Sequence, residues 1–247
     1  MRTSAAFPAE LAPLPWDEPR YGLVRSGIGR FRHWRHRIFE ARRHRGYVVE
    51  RVAGLTLLVA PGVLNPRLMR TGEYFAQQLG PRLIPARARV LDMGTGSGVC
   101  ALVAARHAGH VAAVDISAQA VRCARINVLM NHCEERVRVI EGDLFAPLGG
   151  DRFDAILFNP PFLHGVPRDD ADRAWRSTDV PERFAAGLAD HLTPNGYALV
   201  LLSSYGGAGN FVREFRRRRF SIEVLTQRDY VNERLTLLKI GEARVNT

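Results

Sequence analysis

The sequence predicts an α/β protein. Its main part is a doubly wound, mostly parallel sheet of seven strands ending in an antiparallel hairpin, preceded by a small helix-and-hairpin appendage. Three observations predict this. From residue 86 onward, apolar runs of strand length alternate with helical patterns, the order that builds a parallel sheet covered on both faces. The first such run, Arg89–Met93, opens directly into Gly94-Thr95-Gly96-Ser97-Gly98 and then a helix. The last two runs, Phe220–Thr226 and Arg234–Ile240, are joined by a short polar turn around Asp229–Asn232, so they pair antiparallel.

The appendage, residues 1–85, begins with an arm rich in proline, glycine and small residues over residues 1–27. From Ile28 to Arg45 the apolar Phe31, Trp34 and Ile38 recur at helical spacing among arginines, an amphipathic helix. Tyr47–Ala53 and Leu55–Ala60 flank Gly54 and read as a hairpin, and Pro66 precedes a helix over Leu68–Leu79. Within residues 86–247 the strands are Arg89–Met93, His110–Asp115, Arg136–Glu141, Phe153–Phe158, Tyr197–Ser203 and the two of the hairpin. The helices are Val99–His107, Ala118–Met130, Pro181–His191 and Asn210–Arg218, with a loop between Phe158 and Pro181.

Composition narrows the class. A chain of 247 residues that is 46% hydrophobic buries a core without disulfides and is too apolar to be disordered. No run approaches the length of a membrane span, and prolines break the first residues where an export signal would need an apolar core. Three cysteines fit a reducing, cytoplasmic setting. The formal charge is +10, and Lys239 is the only lysine among 35 basic residues, a bias that codon usage explains as readily as function. Seven arginines and three histidines against Glu40 between Arg30 and Arg45 nonetheless suit an anionic partner such as RNA.

The chemistry concentrates at strand ends. Glycines at 94, 96 and 98 make a turn tight enough for the backbone to approach a ligand, which then meets the positive end of a helix. Val99 stands where a dinucleotide fingerprint needs glycine, which disfavours an NAD-dependent dehydrogenase. Asp92 ends the first strand. Asp115 ends the second and is placed to take two ribose hydroxyls. Asp143, in Glu141-Gly-Asp143-Leu144, is placed after the third to accept from an adenine amino group. Together they suit a nucleoside that carries an amino-acid tail rather than a pyrophosphate. The segments Val90–Gly98, Val114-Asp115-Ile116-Ser117 and Glu141–Phe145 resemble the class I S-adenosylmethionine-dependent methyltransferases, whose fold is Rossmann-like. The resemblance implies S-adenosylmethionine as cofactor, S-adenosylhomocysteine as product and no metal. It implies cofactor contacts from Asp92, Gly94, Thr95, Gly96, Gly98, Asp115, Ile116, Asp143 and Leu144.

Asn159-Pro160-Pro161-Phe162 follows the fourth strand. A planar amide or aryl amine is a poor nucleophile because its lone pair is delocalised. Acceptance of both N–H bonds, by the Asn159 side-chain oxygen and the Pro160 carbonyl, aims that lone pair at the methyl group. Phe162 then stacks on the planar group. The four residues look like the signature of methyltransferases acting on glutamine amides or on adenine, guanine or cytosine amino groups, with Asn159 also beside the cofactor. Gly62–Thr71 is similar to the segment before the cofactor loop in the HemK/PrmC family of release factor glutamine methyltransferases. From that likeness Pro66 and Thr71 are expected to close over the cofactor. Asn232–Lys239 is similar to the same family's last strand, whereas Gly165–Trp175 lacks its acidic-proline and double-glycine stretch.

The leading expectation is therefore methylation of a protein glutamine, with a release-factor-like substrate. The alternative is an RNA or DNA base, adenine N6 or guanine N2, held along the Arg30–Arg45 helix. A small-molecule N-methyltransferase is the third reading, and an inactive binding module is disfavoured by the intact Asn159 motif. Cys123, His132 and Cys133 are too few and too spread for a zinc site, and Asp169, Asp170 and Asp172 read as a solvated lid.

Overall fold

The computed structural model describes residues 46–161, 163–167, 176–204, 206–230 and 233–242. The arm and the Arg30–Arg45 helix lie outside the described residues, as does Phe162. The expected hairpin is formed by β1 (Val48–Val52) and β2 (Leu55–Val59), with Ala53 and Gly54 both at positive φ in the turn. The helix expected at Leu68–Leu79 starts later, as α1 (Thr71–Gln78). The reason is local: Asn65 Oδ1 accepts the Arg67 and Leu68 amides at 3.0 and 3.2 Å, holding the preceding residues in a turn.

Then follow β3 (Arg89–Met93), α2 (Val99–Ala104), β4 (His110–Asp115), α3 (Ala118–Met130), β5 (Val137–Glu141) and β6 (Phe153–Phe158). The expected loop after β6 contains a short parallel pair, β7 (Leu163–His164) with β8 (Arg176–Ser177). Next come α4 (Val180–Gly187), β9 (Leu192–Ser203), α5 (Ala208–Arg217), β10 (Phe220–Tyr230) and β11 (Glu233–Glu242). β9 begins five residues before its expected start, its pairing with β6 shifting register between Phe153 and Ala155. Asn195, at φ 76°, takes the strand through that irregularity.

The strand order of the main sheet is β10-β11-β9-β6-β3-β4-β5. The pairs from β9 to β5 are parallel, and β11 runs antiparallel to both of its neighbours. Side chains alternate between two cores, as the period of a strand requires. Val90 joins the core that contains α1, α2 and the hairpin, whereas Leu91 and Met93 join the one that contains α4 and α5. Phenylalanines dominate the second core, where Phe184 packs on Phe158 at 4.4 Å between ring centres. Among the described residues no helix is long and apolar enough to cross a membrane.

Candidate active site

The carboxyl ends of β3, β4, β5 and β6 surround one cavity of about 530 Å³. Gly94, Gly96 and Gly98 all take positive φ, at 65°, 56° and 84°. A Cβ at Gly98 would stand 3.4 Å from Ala124 Cβ, so glycine lets α2 and α3 meet, while a Cβ at Gly96 would meet nothing within 4 Å. The loop is braced from both sides by carboxylates. Asp92 Oδ2 accepts from Thr95 Oγ1 at 2.6 Å and from the Ala101 amide at 3.0 Å. Asp115 accepts from the Gly96 amide at 2.8 Å and from the Ser117 amide at 2.9 Å.

Burial pushes the Asp92 carboxyl up to about 7, against the pull of its Thr95 and Ala101 hydrogen bonds, and the nearby Asp115 charge adds to the rise. Burial also raises Asp115, opposed by the backbone amides that it accepts. Beyond β5, Leu144 turns at φ 48°, and Asp143 Oδ2 accepts from Arg183 of α4 at 2.6 Å. Ile116 presents an apolar side chain to the cavity at 43% exposure, a position from which burial against a ligand is favourable.

Asn159 leaves β6 into this cavity. Its Nδ2 lies 3.5 Å from Thr71 Oγ1, at the start of α1. Its Oδ1 is buried and accepts no hydrogen bond among the described residues. A buried oxygen without a donor is costly, and an N–H brought into the cavity by a ligand would satisfy it.

Of the residues expected at the site, Pro66, Thr71, Asp92, Gly94, Thr95, Gly96, Asp115, Ile116, Asp143, Leu144, Asn159 and Pro161 line the cavity. Gly98 instead caps α2, and Pro160 is buried between the lining residues Asn159 and Pro161. Three contributions went unread in the sequence. Arg183 reaches Asp143 from another element, and only its helical spacing from Asp179, 3.8 Å away, hinted at a charged pair. Val166 and Thr178 close the cavity from connecting segments that carry no motif, and Met69 does so from within Gly62–Thr71, where only Pro66 and Thr71 are expected at the site. Asn127 of α3 is fully buried, donates to Leu58 O and Ser97 O at 2.8 Å each, and accepts the Leu58 amide at 2.7 Å. It thereby ties the hairpin to the glycine loop. An asparagine in step with the apolar Ala120, Cys123 and Ala124 was the available signal.

Comparison with known proteins agrees with this architecture. Over 185 residues the chain is 35% identical to the ribosomal protein uL3 glutamine methyltransferase of Bradyrhizobium diazoefficiens, covering 65% of this chain and 58% of that protein. It is 34% identical to the release factor glutamine methyltransferase of Salmonella typhimurium, covering 74% of this chain and 69% of that one. The chain thus spans less than two thirds of the first relative. A T. thermophilus 16S rRNA N2 methyltransferase, solved with AdoMet and guanosine, superimposes with a TM-score of 0.56 at 22% identity, over 80% of this chain and 50% of that one. At that identity the likeness is one of fold. The model of the methyltransferase small domain matches residues 55–218, from β2 through α5 and across every strand end that forms the cavity. With strand order, glycine loop and family model in agreement, the chain belongs to the methyltransferase small domain family.

Proposed function

We propose that this protein is an S-adenosylmethionine-dependent N-methyltransferase working in the cytoplasm, and that its acceptor is the side-chain amide of a protein glutamine. The observation that carries the reading is Asn159 Oδ1, buried at the cavity wall with no donor among the described residues. The cavity fits the cofactor by the chemistry of its walls. Asp115 takes the ribose hydroxyls, Asp143 takes the adenine amino group while Arg183 holds it, and Ile116 covers an apolar ring face. The Gly94–Gly98 loop receives the amino-acid tail, with Asp92 and Thr95 fixing its shape. S-adenosylmethionine, when bound, supplies a methyl group on a positively charged sulfur.

The protein's own part is positioning. Asn159 Oδ1 and the Pro160 carbonyl accept the two amide N–H bonds, and Thr71 keeps the Asn159 amide from rotating. Held this way, the nitrogen would turn its lone pair toward the cavity in which the cofactor would bind. Once methylated, the nitrogen would give up one proton to water, and the Asn159 and Pro160 oxygens would hold it in place while it did so. Orientation of this kind supplies several kcal/mol of a barrier, about 7–11 at the limit. Phe162, outside the described residues, is assigned the face of the planar amide.

Relatives that act on glutamine in uL3 and in release factors support this acceptor. The charge of +10, dense between Arg30 and Arg45, favours a second reading in which the acceptor is an RNA base. One assay separates them: labelled methyl transfer from S-adenosylmethionine into a fractionated lysate, scored for label in protein and in RNA. Asn159→Ala is expected to reduce transfer at least about a hundredfold, as loss of a key positioning contact does, while the cofactor dissociation constant changes less than about threefold. Normal turnover by that variant would sink the role assigned to Asn159.

A further inference from the structure

Beside the cavity, on the side away from the adenine end, lies a cluster that methyl transfer itself does not use. Arg70 immediately precedes Thr71, which touches Asn159. Its backbone is left-handed at φ 58°, a conformation that a residue with a side chain keeps only where its surroundings hold it. Its guanidinium carbon lies 5.4 Å from the centre of the Tyr230 ring, at the end of β10. Arg228 lies 5.4 Å from the same ring and 5.8 Å from that of Tyr74 on α1. Tyr74 is fixed in turn by a 3.2 Å hydrogen bond between its hydroxyl and Thr226 Oγ1. Both arginines are exposed, and among the described residues neither guanidinium makes a hydrogen bond or close ion pair, although the Arg70 charge acts on the Glu233 carboxyl across the hairpin end. A guanidinium stacked on an aromatic ring keeps its fork of N–H donors free for a planar oxyanion.

The sheet order sets how far this cluster is from the acceptor. From β6 to β10 there are three strand spacings, together about 14 Å, which an extended peptide covers in about four residues. The neighbouring charges set what kind of anion suits it. Asp229 stands on the same hairpin, paired with Arg234 at 2.6 Å, and Glu233 accepts from the Ser203 hydroxyl at 2.5 Å. A nucleic acid strand, with a charge about every 3.4 Å, would meet both carboxylates as it crossed this edge. A peptide with one acidic side chain meets the two arginines with Glu233 as the one carboxylate that acts on Arg70.

We propose that Arg70, Arg228 and Tyr230 form a carboxylate-binding subsite that selects protein substrates bearing an acidic residue about four positions from the methylated glutamine. The inference rests on the glutamine reading above and names the sequence context that this acceptor needs.

The test uses the full chain, S-adenosylmethionine and synthetic glutamine peptides carrying glutamate, glutamine or lysine four positions before or after the acceptor. Wild-type protein is expected to methylate one glutamate peptide with a KM about tenfold lower than its glutamine counterpart, at similar kcat. The paired Arg70→Gln and Arg228→Gln variant loses that preference, and the paired Arg→Lys variant keeps only part of it, because a point charge replaces the planar fork. Arg228→Glu reverses it in favour of the lysine peptide, a gain that misfolding cannot produce. Methylation of all peptides with equal KM overturns the subsite and leaves the glutamine reading standing. Label in RNA and in no glutamine peptide overturns the glutamine reading and this inference with it. RNA labelling that weakens when Arg70 and Arg228 are neutralised assigns the cluster to phosphate instead, and also overturns the carboxylate.

Discussion

Asp92 shows how much a single side chain at this site is held against its solution preference. Its carboxyl, ordinarily near 3.8, is raised to about 7 chiefly by burial. The folded state therefore binds the proton more tightly than the unfolded chain does. The Asp92 contribution to stability is complete below about pH 4 and declines as pH rises through about 7, the reverse of a salt-bridged aspartate. Thermal melts between pH 4 and pH 8 are expected to show a smaller fall for Asp92→Asn than for wild type, because an amide has no proton to lose. Parallel curves would mean that Asp92 keeps an ordinary pKa. Asp115 has the same sign, so the comparison rests on the difference between the two proteins.

Among the elements, the hairpin shows what depends on one buried amide. β2 pairs with β1 on one side, and Asn127 satisfies both backbone groups of Leu58 on the other as well as the carbonyl of Ser97. Asn127→Leu conserves volume and strands the Leu58 amide and the Ser97 carbonyl in an apolar setting, leaving the Leu58 carbonyl to the Cys123 thiol at 3.1 Å. A loss of about 2–4 kcal/mol in urea unfolding is expected, because each buried orphan costs about 1–3 kcal/mol before local relaxation. A loss below about 0.5 kcal/mol, the level of an ordinary surface change, would show that the hairpin is held by its apolar contacts alone.

The same pair of elements marks how far the sequence could be read. Glycines at 94, 96 and 98 and acids at the ends of successive strands announce a ligand site, because backbone geometry demands those residue types locally. The strand alternation likewise yields the seven-stranded sheet and its antiparallel end. The partners of Asn127 and Asp143 lie 69 and 40 residues away, and no local pattern encodes a contact of that range. The β7–β8 pair was unreadable for a further reason, since two residues are too few to show a period. The late start of α1 turned on Asn65, whose side chain competes with the helix for the Arg67 and Leu68 amides.

For the molecule as a whole, the braced loop and the cavity predict a large response to ligand. S-adenosylmethionine at a hundred times its dissociation constant is expected to stabilise the fold by about 2.7 kcal/mol. For a domain of this size that corresponds to a rise of roughly 5–10 °C in Tm. Calorimetry with and without the cofactor checks it, and an unchanged Tm would contradict the cavity as its site.

The position of β11 bears on the protein's birth. In the chain it follows β10, yet in the sheet it lies between β9 and β10. A ribosome adds about 5–20 residues each second. Throughout synthesis of residues 204–232 the nascent β9 has an open edge, and β10 has no strand to pair with. Such edges recruit other chains. The sheet closes only when Glu233–Glu242 slides in to hydrogen-bond on both sides at once. A stop codon before that point therefore leaves a polypeptide with its glycine loop and Asn159 intact and two sticky borders, so quality control rather than lost chemistry decides its fate.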